Sequence, residues 1–333
     1  MRAFEYSSAT GAEEAIERLS EQSGGETRLI AGGTDLLTLM KAGLAEPTRL
    51  IDLKPATLLR SLGLYTDGGL AIGALTTLAA LERAASGLAA SFPVYAILAD
   101  SIRDAATPQL RAMATVGGNL LQQYRCWYYR DGLNCWLAGG DACYAREGQN
   151  QYHAVFQSGP CVAAHPSDLA PALIALDASV TIQSPTGERE QLVEDLLAAP
   201  TDDRRMAHTL GQGEIITRIH IPAPSATARG VYLKAMDRQA WSFALASVAA
   251  QVTLEGERVS KARLVLGGVA NTPWRAREAE TALLGQTITG ELAAQAAALA
   301  LNGAIPLALN SYKVRLAQEL TRRAILLAAG LEP

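Results

Sequence analysis

Thr27-Arg28-Leu29-Ile30-Ala31-Gly32-Gly33-Thr34-Asp35-Leu36 is the stretch on which the fold of this chain turns. An apolar run enters a glycine pair and then the start of a second apolar-periodic segment. That pattern predicts a strand over 27–31 and a helix over 34–41, with a further strand at 49–53. Upstream, 2–6 is predicted as a strand and 10–19 as a helix. Thr10 is placed to cap that helix, Glu13 follows three residues later, and Ala15, Ile16 and Leu19 form its stripe. The result is a small βαβαβ unit, whose crossovers favour parallel pairing.

From residue 56 to about 222 the pattern is mixed. A strand is predicted at 69–74 after the Asp67-Gly68 turn, helices at 78–85 and 94–101, an apolar segment at 169–176, and strands at 179–183 and 215–221. Pro222-Ala223-Pro224-Ser225 marks the best boundary. Beyond it, 230–234, 244–254 and 261–268 alternate like antiparallel strands, and 275–284, 291–301 and 311–327 read as helices.

Composition narrows the function. With 29 basic against 33 acidic residues and a net charge of −4, no basic excess exists to neutralise nucleic-acid phosphates. The longest uncharged stretch, 292–312, is interrupted by Gln295, Asn302, Gly303, Pro306, Asn310 and Ser311, so no membrane span is expected. The opening residues carry Glu5, Glu13 and Glu14 and lack the apolar run of a secretory signal.

Two glycine pairs suggest a ligand. The first is Gly32-Gly33, ahead of Thr34, Asp35 and Leu36. The second is Gly117-Gly118, in Thr115-Val116-Gly117-Gly118-Asn119-Leu120. Glycines allow close backbone approach, and free amides at such loops suit a phosphate. Neither pair matches G-x-G-x-x-G or a P-loop. Two such loops suit one ligand with two ends, although each pair is equally well a tight turn.

All four cysteines lie between Cys126 and Cys161, spaced C-x8-C-x7-C-x17-C with Cys135 and Cys143 between them. Four thiolates can hold a [4Fe–4S] cluster or a zinc ion, and the alternatives are two disulfides or free thiols. Trp127, Tyr128, Tyr129, Trp136 and Tyr144 offer an aromatic shell or ordinary packing. Among the four histidines only His165 stands beside a candidate acid, Asp168, which is equally a helix N-cap. Lys234 and Arg238, near Trp241, suit an anionic or aromatic ligand or a solvated edge. No nucleophile motif is present. Residues alone therefore describe a two-domain binder of a diphosphate ligand with a candidate redox centre.

The two glycine motifs resemble the diphosphate loops of the flavin (medium) subunit of molybdenum hydroxylases, the family of xanthine dehydrogenase and carbon monoxide dehydrogenase. The resemblance continues through Ile72-Gly73-Ala74, His165-Pro166-Ser167-Asp168-Leu169-Ala170, Gly213-Glu214-Ile215-Ile216 and Tyr232-Leu233-Lys234. It ends with Leu266-Gly267-Gly268-Val269-Ala270 and Pro273-Trp274-Arg275, so it covers essentially the whole chain. It implies an α+β fold: a two-subdomain, PCMH-like FAD-binding domain over 1–222 (subdomains 1–55 and 56–222), then a C-terminal antiparallel sheet with helices over 223–333. It places FAD on Leu29, Ile30, Ala31, Gly32, Gly33, Thr34, Asp35 and Leu36 and on Thr115, Gly117, Gly118 and Asn119. Asp168, Ile216 and Lys234 are placed near the flavin or its linker.

The cysteine-rich stretch, about 121–162, is similar to an insertion in two branches of this family. These are the aldehyde oxidoreductases of the PaoABC type and the 4-hydroxybenzoyl-CoA reductases. The aldehyde oxidoreductase branch resembles it more closely and implies a [4Fe–4S] cluster on Cys126, Cys135, Cys143 and Cys161. The implied role is an electron-transfer subunit without a catalytic residue of its own. Its partners are a large molybdenum-cofactor subunit, a small [2Fe–2S] subunit, and an acceptor such as ferredoxin, quinone or oxygen. The compartment is cytoplasmic, or periplasmic with a signal-bearing partner. Rival readings are a 4-hydroxybenzoyl-CoA reductase-like or xanthine dehydrogenase-like subunit, a stand-alone FAD oxidase, and a zinc-stapled nucleotide-binding scaffold.

Overall fold

The computed structural model describes residues 1–21 and 25–333. Its first unit is a parallel sheet of β1 (Glu5–Ser8), β2 (Thr27–Ile30) and β3 (Arg49–Asp52), in the order β1-β3-β2. Helices α1 (Ala12–Ser20) and α2 (Leu36–Lys41) form the crossovers. Two local expectations are corrected. The first strand lies later than 2–6, because its register against β3 pairs Glu5 with Arg49 and Ser8 with Asp52. The start of α1 is held by Glu14 rather than Glu13: the backbone N–H and the hydroxyl of Thr10 both donate to Glu14 Oε2 at 2.7 Å, and Gly11 takes the N-cap position.

The second unit contains β4 (Leu62–Leu64), β5 (Leu70–Gly73), α3 (Leu78–Leu88), α4 (Ala96–Arg103), α5 (Pro108–Met113) and α6 (Val116–Leu120). After α7 (Trp127–Arg130) in the cysteine-rich insertion it resumes with α8 (Leu169–Ala175), β6 (Ser179–Ser184), β7 (Gly187–Leu192), α9 (Val193–Leu196) and β8 (Ile215–Ile221). The five strands pair antiparallel in the order β4-β5-β8-β6-β7. Polar, largely exposed β7 has no apolar face of its own and is held as an edge strand by its hairpin with β6. All seven residues of α8 are buried. The third unit is a meander, β9 (Ala228–Ala235), β10 (Ala246–Glu255), β11 (Arg258–Gly267) and β12 (Trp274–Arg275), followed by α10 (Arg277–Leu283), α11 (Gly290–Ala300) and α12 (Tyr312–Ala328).

The cores do not respect the order of the units. The largest joins α3, α4 and α8 to the five-stranded sheet and reaches Tyr232, Ala249 and Val265 of the meander. Another packs Ile30, Leu39, Met40 and Leu50 of the first unit against Tyr124, Trp136, Leu137 and Cys161 of the insertion. The helices of the third unit cover Val155 and Phe156, and Phe156 stacks on Trp274 with ring centroids 3.8 Å apart. The insertion is thus clamped on two sides although it has little regular structure. None of the helices described is long and apolar enough to cross a membrane.

Burial has a consequence for acid stability. His165 accepts a hydrogen bond from the Ser167 amide at Nδ1, so its proton resides on Nε2, which has no partner. Burial, with a smaller contribution from His208, holds His165 neutral down to about 3. Burial and then Arg204 hold His208 neutral down to about 4. Unfolding restores both to their ordinary range near 6.5. Between those values the unfolded chain binds more protons, so stability is complete above pH 6.5 and declines as pH falls toward 3–4. The urea midpoint should therefore drop between pH 7 and pH 4, and His165→Asn should flatten that drop. An equally steep drop in the variant would contradict the assignment.

Candidate cofactor site

The two glycine segments lie side by side. A Cβ on Gly32 would sit 2.0 Å from the carbonyl oxygen of Met113, two residues before Thr115, so only glycine permits this approach. Gly33 has φ of +70°, a conformation in which a side chain is strained. The amides of Gly32, Gly33, Thr34 and Asp35 make no hydrogen bond among the described residues. Consecutive free N–H groups of this kind suit an anion.

The second segment differs from the expected loop. Gly117 and Gly118 lie within α6, capped by Thr115, whose Oγ1 accepts from the Gly118 amide at 3.2 Å. Val116, Gly117 and Asn119 donate their amides to Thr76, Ala74 and Thr115. What remains for a ligand is close approach at exposed Gly118 and the side chain of Asn119. Asn119 Oδ1 accepts from Ser167 Oγ at 2.6 Å, which leaves its NH₂ as the donor available to a ligand.

Other anticipated residues have different surroundings. Leu29 and Ala31 pack partly buried against the core beneath α1, while Ile30 and Leu36 face the core shared with the insertion. Ile216 is buried in the largest core and pairs with Ile182. Asp168 does not cap α8, since Ser167 Oγ accepts from the Ala170 amide instead. Its carboxylate takes Lys234 Nζ at 2.9 Å and Tyr232 OH at 2.8 Å, and Lys234 also donates to the carbonyl of Asp104 at 2.8 Å. Burial raises the Asp168 carboxyl, and Lys234 and Tyr232 oppose that shift. Lys234 is therefore a buried tie between α8 and β9 rather than a surface edge. Arg238 alone fits the solvated reading, lying 5.4 Å over exposed Trp241.

Asp35 faces the insertion. Its carboxylate accepts from the Gln123 amide at 2.7 Å, from Arg130 Nη2 at 2.9 Å and from Arg125. Burial alone would raise this carboxyl, but the two guanidinium groups and the amide outweigh it and hold it below the usual range. Arg125 directly precedes Cys126, so the glycine loop and the first cysteine arm are joined by charge.

The four thiols converge. Cys126, Cys135, Cys143 and Cys161 line one small cavity with Tyr128, Tyr129, Trp136, Leu137, Tyr144 and Ala145. None is in a disulfide. The amides of Tyr129 and Tyr128 point at Cys126, those of Val162 and Ala145 at Cys143, and that of Ala163 at Cys161. Burial pushes Cys126 up to about 11, whereas the hydrogen bond from Cys161 brings Cys143 down to about 6. The same bond, with burial, raises Cys161. Among the described residues no three thiols, imidazoles or carboxylates are placed to share one metal ion. A small enclosed space bounded by four thiols, with amides directed at three of them, suits anionic sulfur.

Side chains that sequence reasoning passed over support this geometry. Arg146 donates to the carbonyls of Gly159 and Pro160 at 2.6 and 3.1 Å, next to Cys161. Asn271 donates to the carbonyls of Cys161 and Ala163, and Arg205 lies 4.8 Å over the Trp136 ring. Isolated asparagines and arginines carry no periodic signal, and their partners are remote in sequence.

Paired glycine segments between α/β units, beside a thiol-lined cavity, define a subunit built to hold a redox cofactor. Residues 2–224 match the family model for the FAD binding domain in molybdopterin dehydrogenase. Residues 231–328 match that for the CO dehydrogenase flavoprotein C-terminal domain. The chain is 39% identical to the aldehyde oxidoreductase FAD-binding subunit PaoB of Escherichia coli, over 85% of this chain and 86% of that one. It is 28% identical to the carbon monoxide dehydrogenase medium chain of Afipia carboxidovorans, over 97% and 95%. The solved structure of reconstituted CO dehydrogenase from Oligotropha carboxidovorans superposes with a TM-score of 0.77 at 26% identity, covering 99% of this chain and 98% of that one. The chain belongs to the FAD-binding medium subunits of the molybdenum hydroxylases, an oxidoreductase family.

Gly32 gives a direct test of the paired loops. Gly32→Ala should drive the segments apart, cost ~1–3 kcal/mol as overpacking does, and lower the FAD bound per chain. Gly11→Ala, whose Cβ meets nothing within 4 Å, should leave flavin absorbance unchanged. Full flavin occupancy in Gly32→Ala would contradict the role given to the pair.

Proposed function

We propose that this chain is the electron-transfer flavin subunit of a molybdenum-containing aldehyde oxidoreductase. In that role it carries electrons between the [2Fe–2S] clusters of a small partner subunit and an external acceptor such as ferredoxin, quinone or oxygen. The large partner subunit holds the molybdenum cofactor and the organic substrate. Bound FAD and a [4Fe–4S] cluster supply the one- and two-electron chemistry. The chain itself binds, orients and insulates them.

The observation that carries this reading is the convergence of four thiols on one cavity in a chain of this flavin-subunit family. Cys126, Cys135, Cys143 and Cys161 are the proposed ligands, and the amides directed at three of the sulfurs would stabilise them as thiolates. The proposed diphosphate contacts are the free amides of Gly32, Gly33, Thr34 and Asp35 and the NH₂ of Asn119. The residue whose backbone bears on the flavin loop, Asp35, grips the arm of the first thiol. The likeness to an aldehyde oxidoreductase subunit supports the aldehyde assignment.

Metal analysis tests the proposal. Anaerobically purified complex should contain about four irons and one FAD in this chain, beyond the iron of the small subunit. Cys135→Ser should lose those irons and loosen 121–162 to proteolysis while retaining FAD. One zinc per chain, or thiols oxidised to disulfides with no iron, would overturn the cluster and leave the flavin subunit standing.

A further inference from the structure

Two buried groups behind Cys126 have no part in holding the insertion's sulfurs or the flavin loops. His153 is 3% exposed, and its Nε2 lies 3.2 Å from Cys126 Sγ. The ring is fixed edge-on against Trp127, with centroids 5.1 Å apart, and lies 6.3 Å from Tyr128. Its amide donates to the carbonyl of Asn150. Its own carbonyl receives Lys313 Nζ at 2.9 Å and Asn310 Nδ2 at 3.1 Å. The imidazole therefore has one orientation, and that orientation faces sulfur.

Lys313 is the stranger of the two. It comes from α12, is 0% exposed, and donates to the carbonyls of Tyr152, His153 and Gly268 at 3.2, 2.9 and 2.6 Å. Its hydrogen-bond partners are all carbonyls, and no carboxylate pairs with it among the described residues. Burying an ammonium without a counter-charge is costly and draws Lys313 down to about 7, and an anion nearby would favour its charged form. Four thiolates around an iron–sulfur core are such an anion, since the assembly carries net negative charge. A sulfur bonded to iron has no proton to give, so the contact at Cys126 is a hydrogen bond only when Nε2 of His153 carries the proton. The free Nδ1 agrees, being without a partner.

Resting on the cluster reading above, we propose that His153 and Lys313 are positioning residues that set the reduction potential of the thiol-bound centre. His153 donates Nε2–H to Cys126 Sγ, and Lys313 provides the buried positive charge behind it. Both favour the more negative, reduced state and so raise the potential of the centre relative to the flavin.

The test is a potentiometric titration of the purified complex followed by low-temperature EPR, with iron counted in every sample. His153→Phe keeps the ring packing and removes the donor. It should shift the reduction equilibrium of this chain's cluster at least tenfold toward the oxidised form, which for one electron is ~59 mV downward. The flavin potential and the iron content should not move. His153→Gln, which retains an N–H, should recover most of the shift, and Lys313→Met should shift the equilibrium in the same direction as His153→Phe. An unchanged potential in a fully iron-loaded His153→Phe complex would overturn the inference and leave the cluster reading intact. Should that variant lose iron, unaltered complex made with ring-¹⁵N histidine decides the matter. Pulsed EPR of the reduced centre should show a coupled imidazole nitrogen that is lost in His153→Gln, and its absence from the unaltered complex would refute the hydrogen bond. Absence of iron from the unaltered chain would instead refute the cluster itself.

Discussion

The carboxylate of Asp35 is the constraint on which the remainder of the site depends. It follows a glycine pair whose own amides are unspent, yet it faces away from them toward Arg125, Arg130 and the amide of Gln123. Its charge is partly buried, and breaking such a pair by removing one partner typically costs ~3–5 kcal/mol. The arrangement therefore gives a flexible loop a fixed register against the insertion. Because Arg125 precedes Cys126 and Arg130 closes α7, one carboxylate orients both ends of the first cysteine arm.

The insertion meets the general demand that buried backbone groups find partners, and it does so without helices or sheets of useful length. Its carbonyls are taken up by side chains, most of them from elsewhere. Asn271 serves those around Cys161, Arg146 those of Gly159 and Pro160, and Asn310 and Lys313 those around His153. Three of these donors belong to the C-terminal unit. The thiol cavity is consequently a product of all three units, although its sulfurs come from one short stretch. The same logic explains Asp168 and Lys234, a buried pair that fastens α8 to the meander sheet.

Much of this was legible in the sequence, and the divisions follow physical scale. The strands at 27–30 and 49–52 are short apolar runs, and the strand at 215–221 and the helix at 312–328 bury a periodic face, all of which is local information. Tertiary partners displaced the edges: β1 starts at Glu5 because its ladder to β3 fixes it there. Gly117-Gly118 read as a loop because glycine is a poor helix former, yet Thr115 supplies a cap and Ala74 and Thr76 take two amides, which suffices for one helical turn. The polar strand β7 carried no apolar alternation and depended on its hairpin partner.

At the thiol cavity, residue type was legible and role was not. Four cysteines in one stretch suggest a shared ligand, but their spacing alone left iron, zinc and disulfide open. What the fold adds is three-dimensional: the four thiols line one cavity, backbone amides aim at three of them, and none is in a disulfide. Lys313 shows the limit most plainly. In sequence it is one lysine near the start of an amphipathic helix, where a solvated face is the natural reading. In the fold it is buried against three carbonyls, behind the one histidine that touches a thiol. Burial draws this lysine down to about 7, and negative charge supplied a little further off would hold it protonated. His153 touches Cys126 through its ring and Lys313 through its carbonyl, so on the proposed cluster reading the buried lysine and the thiol cavity would be two halves of one electrostatic arrangement.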